Sequence, residues 1–165
     1  AAVDRAAWDK GWNFRGMGQF GATTSPLDNL VIALGRTGHR KGLPVLLRKL
    51  NQLTPASEFS HARAVSMALE FLKAPEASKP LADFLNQTGI RGHAFLDIND
   101  VIKRTPGSMT DNSTRNNSLR ELIVARALYR CGDHEGLGKT ILSRYAADFR
   151  GHYASHAKAV LRERP

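Results

Sequence analysis

Two stretches near the start of the chain carry the same apolar spacing. Leu27, Leu30, Val31 and Leu34 fall at i, i+3, i+4 and i+7, and so do Leu43, Leu46, Leu47 and Leu50. That spacing places each set on one face of a helix. Ser25 is a good N-cap, Pro26 suits the first helical position, and Gly38 stands where the first helix must stop. The two helices are predicted to form an antiparallel pair that cannot bury its stripes alone.

The same design returns downstream. Ala62, Val65, Leu69 and Leu72 mark a third helix, and Leu81, Phe84 and Leu85 a fourth. Leu119 to Arg130 reads as a fifth, ending near Gly132. Leu137, Ile141 and Tyr145 mark a sixth, and Tyr153, Ala157, Val160 and Leu161 a last one. No stretch of comparable length shows the period-two alternation of strands. The predicted class is all-α.

The helix pairs are also copies of one another. With Ala33-Leu34, Ala68-Leu69 and Ala127-Leu128 aligned, Gly38, Lys73 and Gly132 share a turn column, and Gly42, Ala77 and Gly136 share a small-residue column. Leu46 then matches Leu81, and Leu50 matches Leu85. The offsets are 35 and 59 residues, and the second also relates Arg91-Gly92-His93 to Arg150-Gly151-His152. Ser60-His61-Ala62 through Val65 is echoed by Ser155-His156-Ala157 through Val160. Stacked copies make one continuous core, whose stability sums over neighbouring interfaces. The expected architecture is an α–α superhelix of about three helix pairs over residues 26–165, closed by a C-terminal capping helix.

Two regions stand outside the repeat. The stretch near 96–117 is rich in Pro, Gly, Asn and Ser and reads as an inserted loop, with a short helical turn over Asp97 to Lys103. Such insertions often meet partners; a mobile loop with no partner is the other reading. Residues 1–25 mix Trp8, Trp12, Phe14 and Phe20 with Gly11, Gly16, Gly18 and Gly21. This segment is expected either to cover the open end of the first repeat or to trail from a preceding domain.

Lysine and arginine total 24 against 15 acids, a net charge of +9. That permits an acidic partner without choosing one. The longest apolar run, Leu30 to Leu34, is five residues, far short of the roughly 20 that span a membrane. A single cysteine, Cys131, excludes an internal disulfide and any cysteine-only metal cage. Oligomeric state and compartment stay open. A bacterial cytoplasm and, after removal of a signal segment, export both fit.

The spacing Ala-Leu-Gly-Arg-x-Gly-x-x-x-x-Leu-Pro-x-Leu-Leu from Ala33 to Leu47 resembles the HEAT-like repeat family, and the likeness covers residues 26–147 in three copies. The second copy departs from it, with Lys73-Ala74-Pro75 in place of the turn glycine. The resemblance implies an α-solenoid used mainly for protein contacts. More narrowly, the segments from Trp12 to Gly21, Ser25 to Arg36 and Ala127 to Gly138 look like the C-terminal helical region of large bacterial FAD-dependent oxidoreductases. That likeness implies a flavin-binding part upstream of these residues, and it carries no catalytic or flavin residue onto this chain.

Candidate sites are few. Gly16-Met-Gly-Gln-Phe-Gly21 fits G-x-G-x-x-G, but no buried strand precedes it, and the next helix starts only at Pro26. It reads as a covering segment rather than a phosphate cradle. His152 and His156 share a helix face but lack the H-E-x-x-H glutamate and a third ligand, so no metal is expected. Ser66, Ser118 and Ser143 lack a nucleophile elbow. Cys131 reads as a buried filler at a turn. Asp97, Asp100, Asp133 and Glu135 read as acids serving helix starts. Arg91, His93, Arg150 and His152 are candidate partner-binding residues, which in a row could grip carboxylates or phosphates. The preferred reading is that they satisfy helix-end carbonyls beside a glycine turn. Arg36, Arg40 and Lys41 cluster at the first turn and complete the candidate set.

The sequence therefore predicts a non-catalytic helical scaffold, without cofactor or metal, for a protein partner or a neighbouring domain of the same parent. The alternative is a basic nucleic-acid-binding α-solenoid. HEAT-like alkylpurine DNA glycosylases bind nucleic acid in this way, but their lesion-facing aromatic and acid have no matching pair in the repeats. A third reading is an enzyme that uses the N-terminal glycine–aromatic segment or the histidines.

Overall fold

A computed structural model of the chain describes residues 2–8, 24–105, 107 and 111–163. Trp12, Phe14, Phe20 and the glycines 11, 16, 18 and 21 lie outside the described residues. Among those described there are nine α-helices and no strand, so the chain is all-α. They are α1 (Ala2–Arg5), α2 (Pro26–Arg36), α3 (Leu43–Asn51), α4 (Phe59–Leu72), α5 (Ser78–Leu85), α6 (Ile98–Arg104), α7 (Ser113–Arg130), α8 (Leu137–Tyr145) and α9 (Gly151–Arg162).

Helix α2 starts where its sequence says it should. The Ser25 hydroxyl accepts from Asp28 N at 3.1 Å, and Ser25 N donates to an Asp28 carboxylate oxygen at 2.7 Å. This reciprocal box satisfies amides that the first turn leaves free. The buried face is rotated from the expected stripe. Leu27, Val31 and Gly35 are buried, whereas Leu30 is 51% exposed. The rotation brings Gly35 against Ala68 of α4, where a Cβ on residue 35 would lie only 2.6 Å from the Ala68 Cβ. Close backbone approach, rather than leucine interdigitation, sets this crossing.

The turn column of the sequence is a real structural column. Gly38, Lys73 and Gly132 all have positive φ, at 67°, 44° and 108°. Each is followed by a short 3-10 turn, opening at Arg40, Pro75 and His134, and then by a helix opening at Leu43, Ser78 and Leu137. These starts recur at offsets of 35 and 59 residues. Lys73 holds the left-handed conformation without glycine's freedom.

Helix α4 packs on α2 on one side and on α7 on the other. In the first two pairs the second helix leans on the next pair, α3 on α4 and α5 on α7, and α3 also touches α5. Helix α8 packs on α7, and α9 on α8 and the edge of α7. One contiguous core runs from Leu27 through Leu69 and Leu128 to Val160. Arg120 of α7, itself buried, donates to the carbonyls of Pro55 at 2.6 Å and Ser57 at 2.8 Å and pins the loop before α4.

The insertion is shorter than its composition suggests. Helix α7 begins at Ser113, six residues before the expected Leu119, so 113–118 is helix rather than loop. Its polar side chains bind tertiary carbonyls. Thr114 Oγ1 donates to Arg104 O at 2.9 Å, and buried Ser118 Oγ is shared between Thr114 O at 2.9 Å and His93 O at 3.1 Å. The anticipated turn near Asp97 is α6, and Asp97 caps it by accepting from Asn99 N and Asp100 N.

Two backbone predictions follow from this packing. Gly35→Ala should lower stability by about 1–3 kcal/mol through overpacking at the α2–α4 crossing. Lys73→Gly should raise it by about 1 kcal/mol by relieving the left-handed strain. Urea unfolding midpoints of both variants against the parent chain provide the check.

Candidate functional site

Three groups of polar residues have the chemistry to form a site. The first is Asp28 with His61. His61 Nδ1 lies 2.7 Å from Asp28 Oδ1, both side chains are buried, and the Trp8 ring stacks on the imidazole at 4.5 Å. Burial disfavours the Asp28 charge. The bonds from His61, Ser25 N and Ser60 outweigh that cost and hold the carboxyl below its usual range. The pair resembles half of a hydrolytic triad, but Ser25 Oγ meets Asp28 N and not the imidazole. It functions as a polar staple between α2 and α4.

The second group clamps the extended segment 92–95. Buried Glu121 of α7 accepts from Gly92 N at 2.9 Å, His93 N at 2.8 Å and Tyr145 OH at 2.9 Å. Burial and the Glu121 charge push the Tyr145 phenol up, so it stays a donor. Asp148 accepts from Phe95 N at 2.9 Å and from the Arg150 side chain at 2.9 and 2.7 Å. Burial opposes the Asp148 charge, and these bonds still hold it below the usual range. Arg150 also donates to Ser118 Oγ and His93 O, and its guanidinium lies 3.9 Å from the Phe95 ring centre. Arg104 covers the other side, donating to Gly92 O and Ala94 O. A loop segment laid into the fold must have its backbone groups satisfied, and these side chains satisfy them.

The two Arg-Gly-His motifs therefore meet, but not as a row. Arg150 binds the carbonyl of His93, while Gly92 takes a φ of 93° and Gly151 opens helix α9. His93 Nε2 bonds to Gly89 O at 2.9 Å. Arg91 is exposed at the rim of a small hollow with Arg144. His152 is exposed on α9 beside Tyr153. At the first turn, Arg36 lies over the Phe71 ring, Arg40 pairs with Glu76, and Lys41 faces solvent. Cys131 is buried, its thiol pushed up to about 11 by burial, and its sulfur donates to Leu69 O. Asp133 accepts from Gly138 N and Lys139 N at the start of α8.

Two further features are open to solvent. The clamped insertion displays Leu96, Ile98 and Ile102, at 39%, 58% and 71% exposure, and Phe149 at 59% lies beside it through the Phe149 N to Phe95 O bond. Ile98 and Ile102, four apart on α6, share one face. Periodicity alone does not mark these residues, because side chains scattered over two short segments make no long stripe. The second feature is a groove of about 380 Å³ between α4, α7 and α9. It is lined by Arg63, Arg115, Arg126, His152 and His156 over an apolar floor. His156 is held below the usual histidine value by burial and by Arg126 and Arg130.

Among the described residues no three His, Cys, Asp or Glu side chains gather as metal ligands, and no helix is long and apolar enough to cross a membrane.

The depressed carboxyls make an acid-stability prediction. Asp28 and Asp148 keep their charge to lower pH when folded than when unfolded. Their contribution is complete above the unfolded aspartate value of about 3.9 and drains away as pH falls through the folded values. Asp148→Asn should destabilise the chain by about 2–4 kcal/mol at neutral pH and flatten this acid limb, as followed by urea unfolding at stepped pH. Amide exchange at Phe95 should rise in the same variant.

Compared with known proteins, the chain matches no family model, no curated protein and no solved structure.

Proposed function

We propose that this chain is a helical-repeat scaffold that holds a protein partner, or a neighbouring domain of its own parent, and performs no bond chemistry itself. The observation that carries this reading is the apolar patch of Leu96, Ile98, Ile102 and Phe149. Large apolar side chains grouped on a surface mark contact sites, and three of these sit on an insertion, where repeat folds often meet partners. The clamp of Glu121, Asp148, Arg150 and Arg104 keeps the patch in place, so little ordering entropy would be lost on contact. The groups that could do chemistry, Asp28–His61 and the Cys131 thiol, are engaged internally.

The HEAT-like spacing supports the scaffold reading. The likeness to the C-terminal region of FAD-dependent oxidoreductases suggests the class of parent, with the flavin on the upstream part. The second reading, a basic nucleic-acid-binding α-solenoid, draws on the net charge of +9. It would use cations, whereas the patch is apolar, which favours the protein contact.

A photo-crosslinking residue at position 102, in the native cell, should report one protein or one upstream domain. Ile102→Asp should remove that product while moving stability by no more than about 0.5 kcal/mol. Crosslinks spread over unrelated proteins would reject the reading. Tight DNA or RNA binding that weakens steeply with salt would favour the nucleic-acid alternative.

A further inference from the structure

The groove between α4, α7 and α9 differs in kind from the apolar patch and lies on other residues. Its apolar lining is Leu119, Leu122 and Ile123 with the Phe59 and Tyr153 rings, and its rim is cationic. Arg126 is already matched, since Nε and a terminal nitrogen bond both Glu70 carboxylate oxygens at 2.7 and 3.0 Å. Arg63 and Arg115 are exposed and have no ion pair among the described residues. No acidic side chain lines the groove among the described residues. At about 380 Å³ the groove falls at the small end of ligand-sized cavities, which run roughly 300–1,000 Å³.

We propose that this groove docks an acidic peptide segment, with one large apolar side chain on the Leu119–Leu122–Ile123 floor and flanking carboxylates on Arg63 and Arg115. Charge complementarity selects the anion, because two guanidinium groups on opposite helices face a space without acids. The floor selects the peptide. A nucleic-acid strand would match the arginines and could stack bases only on the Phe59 and Tyr153 rings, whereas an apolar anchor buries against the three aliphatic side chains as well. The inference rests on the scaffold reading in supposing a protein partner, and it adds a second contact on a separate face.

The test uses the whole chain and a fluorescent Asp/Glu-rich peptide carrying a single Leu or Phe, followed by anisotropy. Three comparisons accompany it: the same peptide with Asn and Gln for its acids, the peptide with Ala for its anchor, and a single-stranded oligonucleotide of equal charge. The acidic anchored peptide should bind best, and each altered peptide should lose affinity. The double variant Arg63→Glu, Arg115→Glu, at exposed positions that leave the fold intact, should weaken binding by about tenfold or more. No binding at low ionic strength, binding unchanged by the double variant, or an oligonucleotide that outcompetes the peptide would each overturn the proposal. Ile102→Asp should leave peptide binding unchanged, and the double arginine variant should leave the position-102 crosslink unchanged. Failure at one surface is thus distinguishable from failure at the other.

Discussion

Helix α4 is the constraint on which the rest depends. Nine of its fourteen residues are buried, because α2 covers one side and α7 the other. The α2 side is set by the bare backbone of Gly35 against Ala68 and by the Asp28–His61 staple. The α7 side is set by Cys131 against Leu69 O and by the paired bonds of Arg126 to Glu70. A helix buried this far cannot be stable with one neighbour, so the first and third helix pairs are tied to the second. The cationic groove exists because α4, α7 and α9 are held at this spacing.

The insertion solves a different problem. An extended segment lying on helices has no strand partner, so its amides and carbonyls need side chains. Glu121 and Asp148 supply the acceptors; Arg104, Ser118 and Arg150 supply the donors. These charges are costly to bury, and their many short bonds offset that cost. The same bonds fix the base of α6, whose isoleucines remain uncovered.

The basic character of the chain also changes meaning in three dimensions. Arg104, Arg120 and Lys49 donate to backbone carbonyls, and Arg150 and Arg126 close internal carboxylate pairs. Several of the cations that raise the net charge are therefore parts of the frame. Others face solvent, among them Arg36 and Lys41 at the first turn, Arg63 and Arg115 at the groove, Arg91 and Arg144 at the small hollow, and Lys103, Lys139, Lys158 and Arg162.

Helix periodicity and turn chemistry were sufficient to read the all-α class, the helix starts at Pro26 and Leu137, the turn column of Gly38, Lys73 and Gly132, and the small helix after Asp97. These are short-range matters, decided by caps, φ preferences and spacing within a few residues. The start of α7 was not legible, because Ser113 to Ser118 resemble loop residues until Arg104 O and His93 O come near enough to bind them. The rotation of α2 away from Leu30 was hidden for a like reason: only the neighbour's Ala68 reveals that Gly35 is the contact point. The meeting of Arg150 with the His93 carbonyl and the convergence of Arg63, Arg115 and His156 on one groove join residues far apart in the chain. Local sequence settled which segments coil; the stacking of those coils settled which polar groups would be hidden, and so which faces were left exposed.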